Sequence, residues 1–101
     1  MFGKLGDMVG KLQEMKQRAE EIKRALDERT FRVKGANGEI ELELTGNRRI
    51  LKLAVSDNLK EGSKDKLEFE LKELMNKALL QVEKIHEEEM KKAASGLLPG
   101  L

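Results

Sequence analysis

The sequence is short of most residues on which chemistry is built. It has no cysteine, tryptophan or tyrosine, one histidine and one proline. Without cysteine there is no disulfide framework and no thiol chemistry. His86 stands alone in Lys-Ile-His-Glu-Glu-Glu-Met. No second histidine or cysteine could complete a closed metal site, and His86 reads as a solvated helix residue. Gly35-Ala-Asn-Gly38 is not a phosphate loop, because no Lys-Ser or Lys-Thr follows it. No catalytic residue, metal, cofactor or small-molecule substrate is expected, so the chain does not read as an enzyme. The aromatic residues are Phe2, Phe31 and Phe69. The last two read as core, which argues against single-strand binding by base stacking. An excess of one charge is also missing: 20 bases face 19 acids for a net +1, so total charge does not announce a polyanionic partner. No apolar run approaches the length of a membrane span and no signal peptide precedes the first helical segment. The expectation is a soluble cytoplasmic protein with no membrane partner. The length makes room for one domain, residues 1–101.

What is present is a clear strand period. From Thr30 to Ser56, apolar residues fall at every second position: Phe31 and Val33, then Ile40, Leu42 and Leu44, then Leu51, Leu53 and Val55. Asn37-Gly38 and Gly46-Asn47 interrupt it, and both pairs tolerate the positive φ of hairpin turns. The reading is a three-stranded antiparallel meander. A two-residue turn at Asn37-Gly38 sets Val33 opposite Leu42 and Phe31 opposite Leu44. It also sets Lys34 opposite Glu41 and Arg32 opposite Glu43, so both faces satisfy cross-strand preferences. A four-residue loop, Gly46 to Arg49, sets Leu44 opposite Leu51, Leu42 opposite Leu53 and Ile40 opposite Val55. One sheet face is then apolar. The other carries Arg, Lys and Glu and reads as solvated.

Helical periods flank the meander. Residues 1–10 hold Gly3, Gly6 and Gly10, each costing a helix roughly 1 kcal/mol relative to Ala, so the first helix is expected from Asp7 to Arg29 with frayed first turns. Leu5, Met8, Leu12, Met15, Ala19, Ile22 and Leu26 alternate spacings of three and four, a heptad seam. Asp7, Glu14, Glu21 and Glu28 form an acidic column, and Lys4, Lys11 and Arg18 a basic one; Lys16, Lys23 and Arg24 add positive charge on the other flank. Asp57 to Ser63 reads as a polar connection. Ser63 is the expected cap of a second helix running to about Ala94, with Asp65 in its first turn. Leu67, Leu71, Leu74, Ala78, Val82 and Ile85 mark its inner face, widened by Met75 and Leu79, and Gly96 is the expected stop. Pairs at i,i+4 recur: Asp7–Lys11, Glu14–Arg18, Glu73–Lys77, Glu87–Lys91 and Glu88–Lys92. Residues 1–6 and 96–101 are expected as mobile ends.

The fold class that follows is α+β: helix, three-stranded antiparallel β-meander, helix, in two layers. About 23 and about 31 helical residues span roughly 35 and 46 Å, and strands of this length only about 17–23 Å. The helices must project, carrying an apolar seam beyond the sheet. An exposed seam marks an interaction surface, and a two-fold homodimer through Leu5, Met8, Leu12, Met15 and Ile22 is the economical answer.

This order of elements resembles the YbaB/EbfC family of bacterial nucleoid-associated proteins. The likeness runs through Met1-Phe-Gly-Lys, Leu12-Gln-Glu-Met15-Lys-Gln, Val33-Lys-Gly, Val55-Ser-Asp-Asn-Leu59, Met75-Asn-Lys-Ala78, Met90 and the Gly-Leu-Leu-Pro-Gly tail at residues 96–100. The first hairpin is short for the family, and Lys72-Glu73 stands where an Ala-rich stretch is usual. The resemblance implies a tweezers-shaped homodimer that binds duplex DNA with low or varying sequence preference. It also implies a role in organising the nucleoid and, in some bacteria, in gene regulation. The positions implicated lie on the long helices. The bases there are Lys4, Lys11, Lys16, Arg18, Lys23 and Arg24, with Lys77, Lys84, Lys91 and Lys92 on the second helix, placed to contact phosphates. The plain alternative for each is a helix base paired with its own acid. To Ser56 the chain nets +3 and beyond it −2, so segregated helices could form a positive concavity. A protein–protein adaptor, gripping through the seam and the apolar tail, is the alternative function.

Overall fold

The computed structural model describes the backbone of residues 2–97 and the side chains of residues 5–95. The order is α1 (Phe2–Glu28), β1 (Thr30–Gly35), β2 (Ile40–Thr45), β3 (Ile50–Val55), a short α2 (Asp57–Lys60) and α3 (Lys64–Leu97). The strands form one antiparallel sheet in the order β1-β2-β3. This is the expected α+β arrangement. Its dimensions are 71 × 23 × 19 Å and its radius of gyration is 20.0 Å. A compact chain of this length would have about 13 Å, so much of the helical length stands clear of the sheet.

The first hairpin has the register that its charges require. Phe31 faces Leu44, Arg32 faces Glu43, Val33 faces Leu42 and Lys34 faces Glu41. At the turn Asn37 has φ 57 and ψ 35 and Gly38 has φ 88, and the Glu39 amide donates to the Ala36 carbonyl at 3.1 Å. Asn-Gly suits such a turn because both residues accept positive φ at low cost. Ala36 joins them at φ 50, where its Cβ makes the conformation costly by about 1–2 kcal/mol.

The second hairpin departs from the expected four-residue loop. Ile40–Val55 and Leu42–Leu53 pair as read, but a bulge between Glu43 and Leu44 sets Leu44 opposite Ile50 rather than Leu51. Thr45 and Arg49 close a three-residue loop through Thr45 N–H to Arg49 O at 2.8 Å, with Arg48 left-handed at φ 67. A turn followed by one left-handed residue adds the extra position that makes the bulge. Thr45 is buried, and its hydroxyl accepts from the Asn47 and Arg49 amides, both at 3.2 Å, so burial leaves it no unmet bond.

Three helix limits also differ. α1 begins at Phe2, not Asp7, because extending a helix already nucleated downstream needs only near-neutral propagation, which Lys4, Leu5 and Met8 supply between the glycines. The segment after Val55 forms α2, capped by Ser56, whose Oγ accepts from Leu59 N–H at 3.1 Å. Leu59 is thereby buried. Ser63 caps α3 as expected, accepting from Lys66 N–H at 3.1 Å, but α3 passes through Gly96 to Leu97. A glycine near a helix end is tolerated; Pro99, which cannot continue a helix, is the stronger punctuation. The tail beyond Leu97 lies outside the described residues.

The core joins Val33, Ile40, Leu42 and Leu44 of the sheet to Leu59 and to Leu74, Ala78 and Val82 of α3. Each such side chain contributes about 1.5–3 kcal/mol by leaving water. α3 lies over β1 and β2, and α1 runs back along α3. The end of α1 is pinned to the second hairpin: Gly46 N–H donates to Arg29 O at 2.8 Å and Asn47 Nδ2 to Asp27 Oδ1 at 2.8 Å. Phe31 packs against the core. Phe69, expected there too, is 53% exposed, with Lys72 Nζ 5.2 Å from its ring centroid.

Candidate nucleic-acid interface

The projecting part of the molecule is an arm built from the first half of α1 and the last turns of α3. The two helices are antiparallel. Leu26 and Ile85 are both buried beside Gly46, Ile22 and Ala93 flank one cleft, and Met15 and Met90 another. The arm root is fastened by Arg29, which meets Glu88 at 2.6 Å and Glu89 at 3.4 Å. Hydrogen bonding to Glu88, then the charges of Glu88 and Glu89, hold the Arg29 guanidinium above its ordinary pKa against an opposing effect of burial. Glu88 is thus drawn to Arg29 rather than to Lys92, which instead meets Glu89 at 3.4 Å.

Charge is distributed unevenly along this length. Residues 2–21 carry Lys4, Lys11, Lys16 and Arg18 against Asp7, Glu14, Glu20 and Glu21, and residues 90–97, level with the last of them, carry Lys91 and Lys92 against no acid. The arm therefore holds +2 and the rest of the chain −1, inside a total of +1. Glu87, Glu88 and Glu89 precede this segment, two of them turned to Arg29.

The candidate bases divide by their partners. Arg18 sits 3.7 Å from Glu14, the expected i,i+4 pair. Lys77 Nζ donates to the Lys34 carbonyl at 3.1 Å instead of meeting Glu73, which lies 3.9 Å from Lys72. Lys11, Lys16, Lys23, Arg24, Lys84 and Lys91 are exposed, and none forms an ion pair among the described residues. The Lys4 side chain lies outside the described ones. On the outer sheet face Arg32 is shared between Glu41 at 3.5 Å and Glu43 at 3.6 Å, a self-neutralised surface.

Two apolar faces remain uncovered. The first is the upper seam of α1, where Leu5, Met8, Leu12 and Met15 are 60–63% exposed. Ile22, read with them, is half-buried beside α3 of its own chain. The second face escaped the sequence reading. The core-side residues of β3, Ile50, Leu53 and Val55, are exposed, as are Met75 and Leu79 on α3. Between β3 and α3 a cavity of about 190 Å³ is lined by Leu42, Leu44, Ile50, Met75, Leu79 and Val82. Strand alternation identifies an apolar face; it does not say that the helix above stops short of the third strand. His86, expected in solvent, follows Val82 by one turn of α3. It is half-buried, and its Nε2 is without a hydrogen-bond partner among the described residues.

No described helix is long and apolar enough to cross a membrane, and no cluster of metal-binding side chains occurs among the described residues.

Known proteins resemble this chain. The chain is 30% identical over 94 residues to a nucleoid-associated protein of Flavobacterium johnsoniae, covering 93% of this chain and 88% of that one. It is 32% identical over 100 residues to one of Campylobacter fetus subsp. fetus, covering 99% and 89%. The crystal structure of an uncharacterized protein from Helicobacter pylori superposes with a TM-score of 0.62 at 22% identity, over 86% of this chain and 98% of that one, which speaks for the fold. The sequence pattern of the YbaB/EbfC DNA-binding family matches residues 1–97. With that pattern matched over residues 1–97 and relatives aligned along nearly its whole length, the chain belongs to the YbaB/EbfC DNA-binding family.

Proposed function

We propose that this protein is a homodimer that binds duplex DNA mainly through its phosphates and helps organise the bacterial nucleoid. The observation that carries the reading is the excess of +2 on the arm of a chain that nets +1, with Lys11, Lys16 and Lys91 exposed and without an ion pair among the described residues. Lys11, Lys16, Arg18, Lys91 and Lys92 supply the contacts, with Lys4 beside them in sequence. The sheet end, net negative, stays away from the duplex. We assign the two-fold contact to the β3–α3 face, where Leu53, Val55, Met75 and Leu79 await cover. This leaves two arms free to approach one duplex, and a dimer then offers about twice the contacts of a chain.

The test is a titration of fluorescent duplex across a salt series. Four to eight phosphate contacts per dimer give a log–log slope of about −4 to −7. A flat salt dependence, or no binding at low salt, would refute the reading. The open seam of α1 favours the adaptor as second reading; a tight protein partner beside weak, wholly salt-sensitive DNA binding would select it.

A further inference from the structure

The upper arm presents an apolar stripe with bases on both of its flanks. Heptad spacing places Lys4, Lys11 and Arg18 along one flank of the seam, backed by Asp7 and by Glu14, which pairs with Arg18 at 3.7 Å, and Val9, Lys16 and Lys23 along the other. Pairing two such arms would set bases against bases on both flanks, whether parallel or antiparallel, which disfavours a second arm as the occupant. The charge pattern suits a polyanion. A helix cannot turn Lys11 on one flank and Lys16 on the other to phosphates without pressing what lies between them onto the duplex.

What lies between cannot hydrogen-bond. Base edges in either groove are donors and acceptors, and a methionine or leucine laid on them leaves those groups unpaired. The base faces are apolar and become reachable when a step opens. We propose that Met8 and Leu12 wedge between base pairs of the bound duplex, unstacking a step and bending the DNA. This rests on the DNA-binding reading above and specifies how that same arm engages. Both side chains are exposed, at 60% and 63%. They stand about 6 Å apart along the helix, close to the length of two stacked base-pair steps. Leucine and methionine are among the side chains that open steps from the minor groove. The groove is about 6 Å wide, too narrow for the helix itself, so only side chains enter. The unbranched methionine adapts to an irregular gap.

The experiment compares the full-length protein with its Met8→Ser/Leu12→Ser double variant and a Lys11→Glu/Arg18→Glu variant. All three are first shown to melt alike by circular dichroism. Duplex bending is read by energy transfer between end-labelled strands, unstacking by permanganate oxidation of thymines, and affinity across a salt series. The wild type is expected to shorten the end-to-end distance and to make thymines in the site several-fold more reactive. The serine variant loses both effects and binds about tenfold more weakly at every salt concentration, with the salt slope unchanged, because it removes apolar contacts and no counterion release. The glutamate variant flattens the slope instead. Wild-type protein that binds straight, fully stacked DNA overturns the wedge while leaving the DNA-binding reading intact, as does a serine variant that bends DNA like the wild type. A serine variant that loses only a larger assembly in sedimentation puts a second copy on the seam and also overturns it. Absence of duplex binding by the wild type removes the functional reading first.

Discussion

Replacing Gly46 by alanine should destabilise this fold far more than a single methyl suggests. Gly46 sits where the second hairpin, the end of α1 and α3 converge. A Cβ there would stand 2.8 Å from Ile85 Cγ2, 3.1 Å from the Leu26 carbonyl oxygen and 3.4 Å from Leu26 Cδ2. The carbonyl belongs to a helix backbone and cannot rotate away. Ile85 is 2% exposed and Leu26 4%, so neither has free space to move into. Overpacking of this kind costs about 1–3 kcal/mol. Any shift also strains the Gly46 N–H to Arg29 O bond of 2.8 Å, worth about 1 kcal/mol. A loss of about 2 kcal/mol lowers Tm by about 8–16 °C in a domain of this size. The control is the same substitution at Gly10, where a new Cβ meets nothing within 4 Å and helix propensity alone should add up to about 1 kcal/mol. Both variants are melted by circular dichroism at one protein concentration, since dimerisation makes Tm depend on it. A Gly46→Ala protein melting within about 2 °C of the wild type would refute the packing argument. In a double-mutant cycle, Ile85→Ala should reduce the cost of Gly46→Ala, because it removes the closest clash.

Reversing Lys11 and Arg18 to glutamate should weaken binding to all duplexes alike and flatten the salt slope by about three to four per dimer, whereas Lys34→Glu and Lys52→Glu on the sheet should not. Leu53→Asp or Leu79→Asp should yield a monomer by sedimentation equilibrium at micromolar concentration, while Leu5→Asp should not if β3 and α3 form the two-fold contact. Ser56→Ala removes the acceptor for Leu59 N–H and should cost about 1 kcal/mol in urea unfolding, from the loss of a helix cap.

How much of this was legible in the sequence depended on whether a residue's partners were local. Asn37-Gly38 dictated the first hairpin, and the charges of Arg32, Lys34, Glu41 and Glu43 checked its register without reference to anything distant. The second hairpin hid its bulge because Arg48, an ordinary residue, holds the left-handed position that a glycine would have advertised. The heptad seam of α1 was legible as a pattern, yet the pattern could not say that Ile22 would meet its own α3 while Leu12 would meet nothing. Nor could the apolar alternation of β3 reveal that no helix lies over it. The charge columns were visible in sequence. Their concentration at one end became visible only when the antiparallel run of α1 and α3 brought Lys91 and Lys92 to the end that carries Lys11.

The pinned junction at Gly46 also makes α1 a lever. From Leu26 to the tip is about 36 Å of rigid helix, so a rotation of only 10° about that fulcrum would sweep the tip through about 6 Å, nearly two base-pair rises. The reach between two arms is then governed by the contacts at Leu26, Arg29, Gly46 and Ile85 together with the packing of Met15 and Ile22 on α3, which such a rotation must carry with it. Substitutions at this fulcrum would retune which duplex geometry the tips can span without altering a single base on the arm.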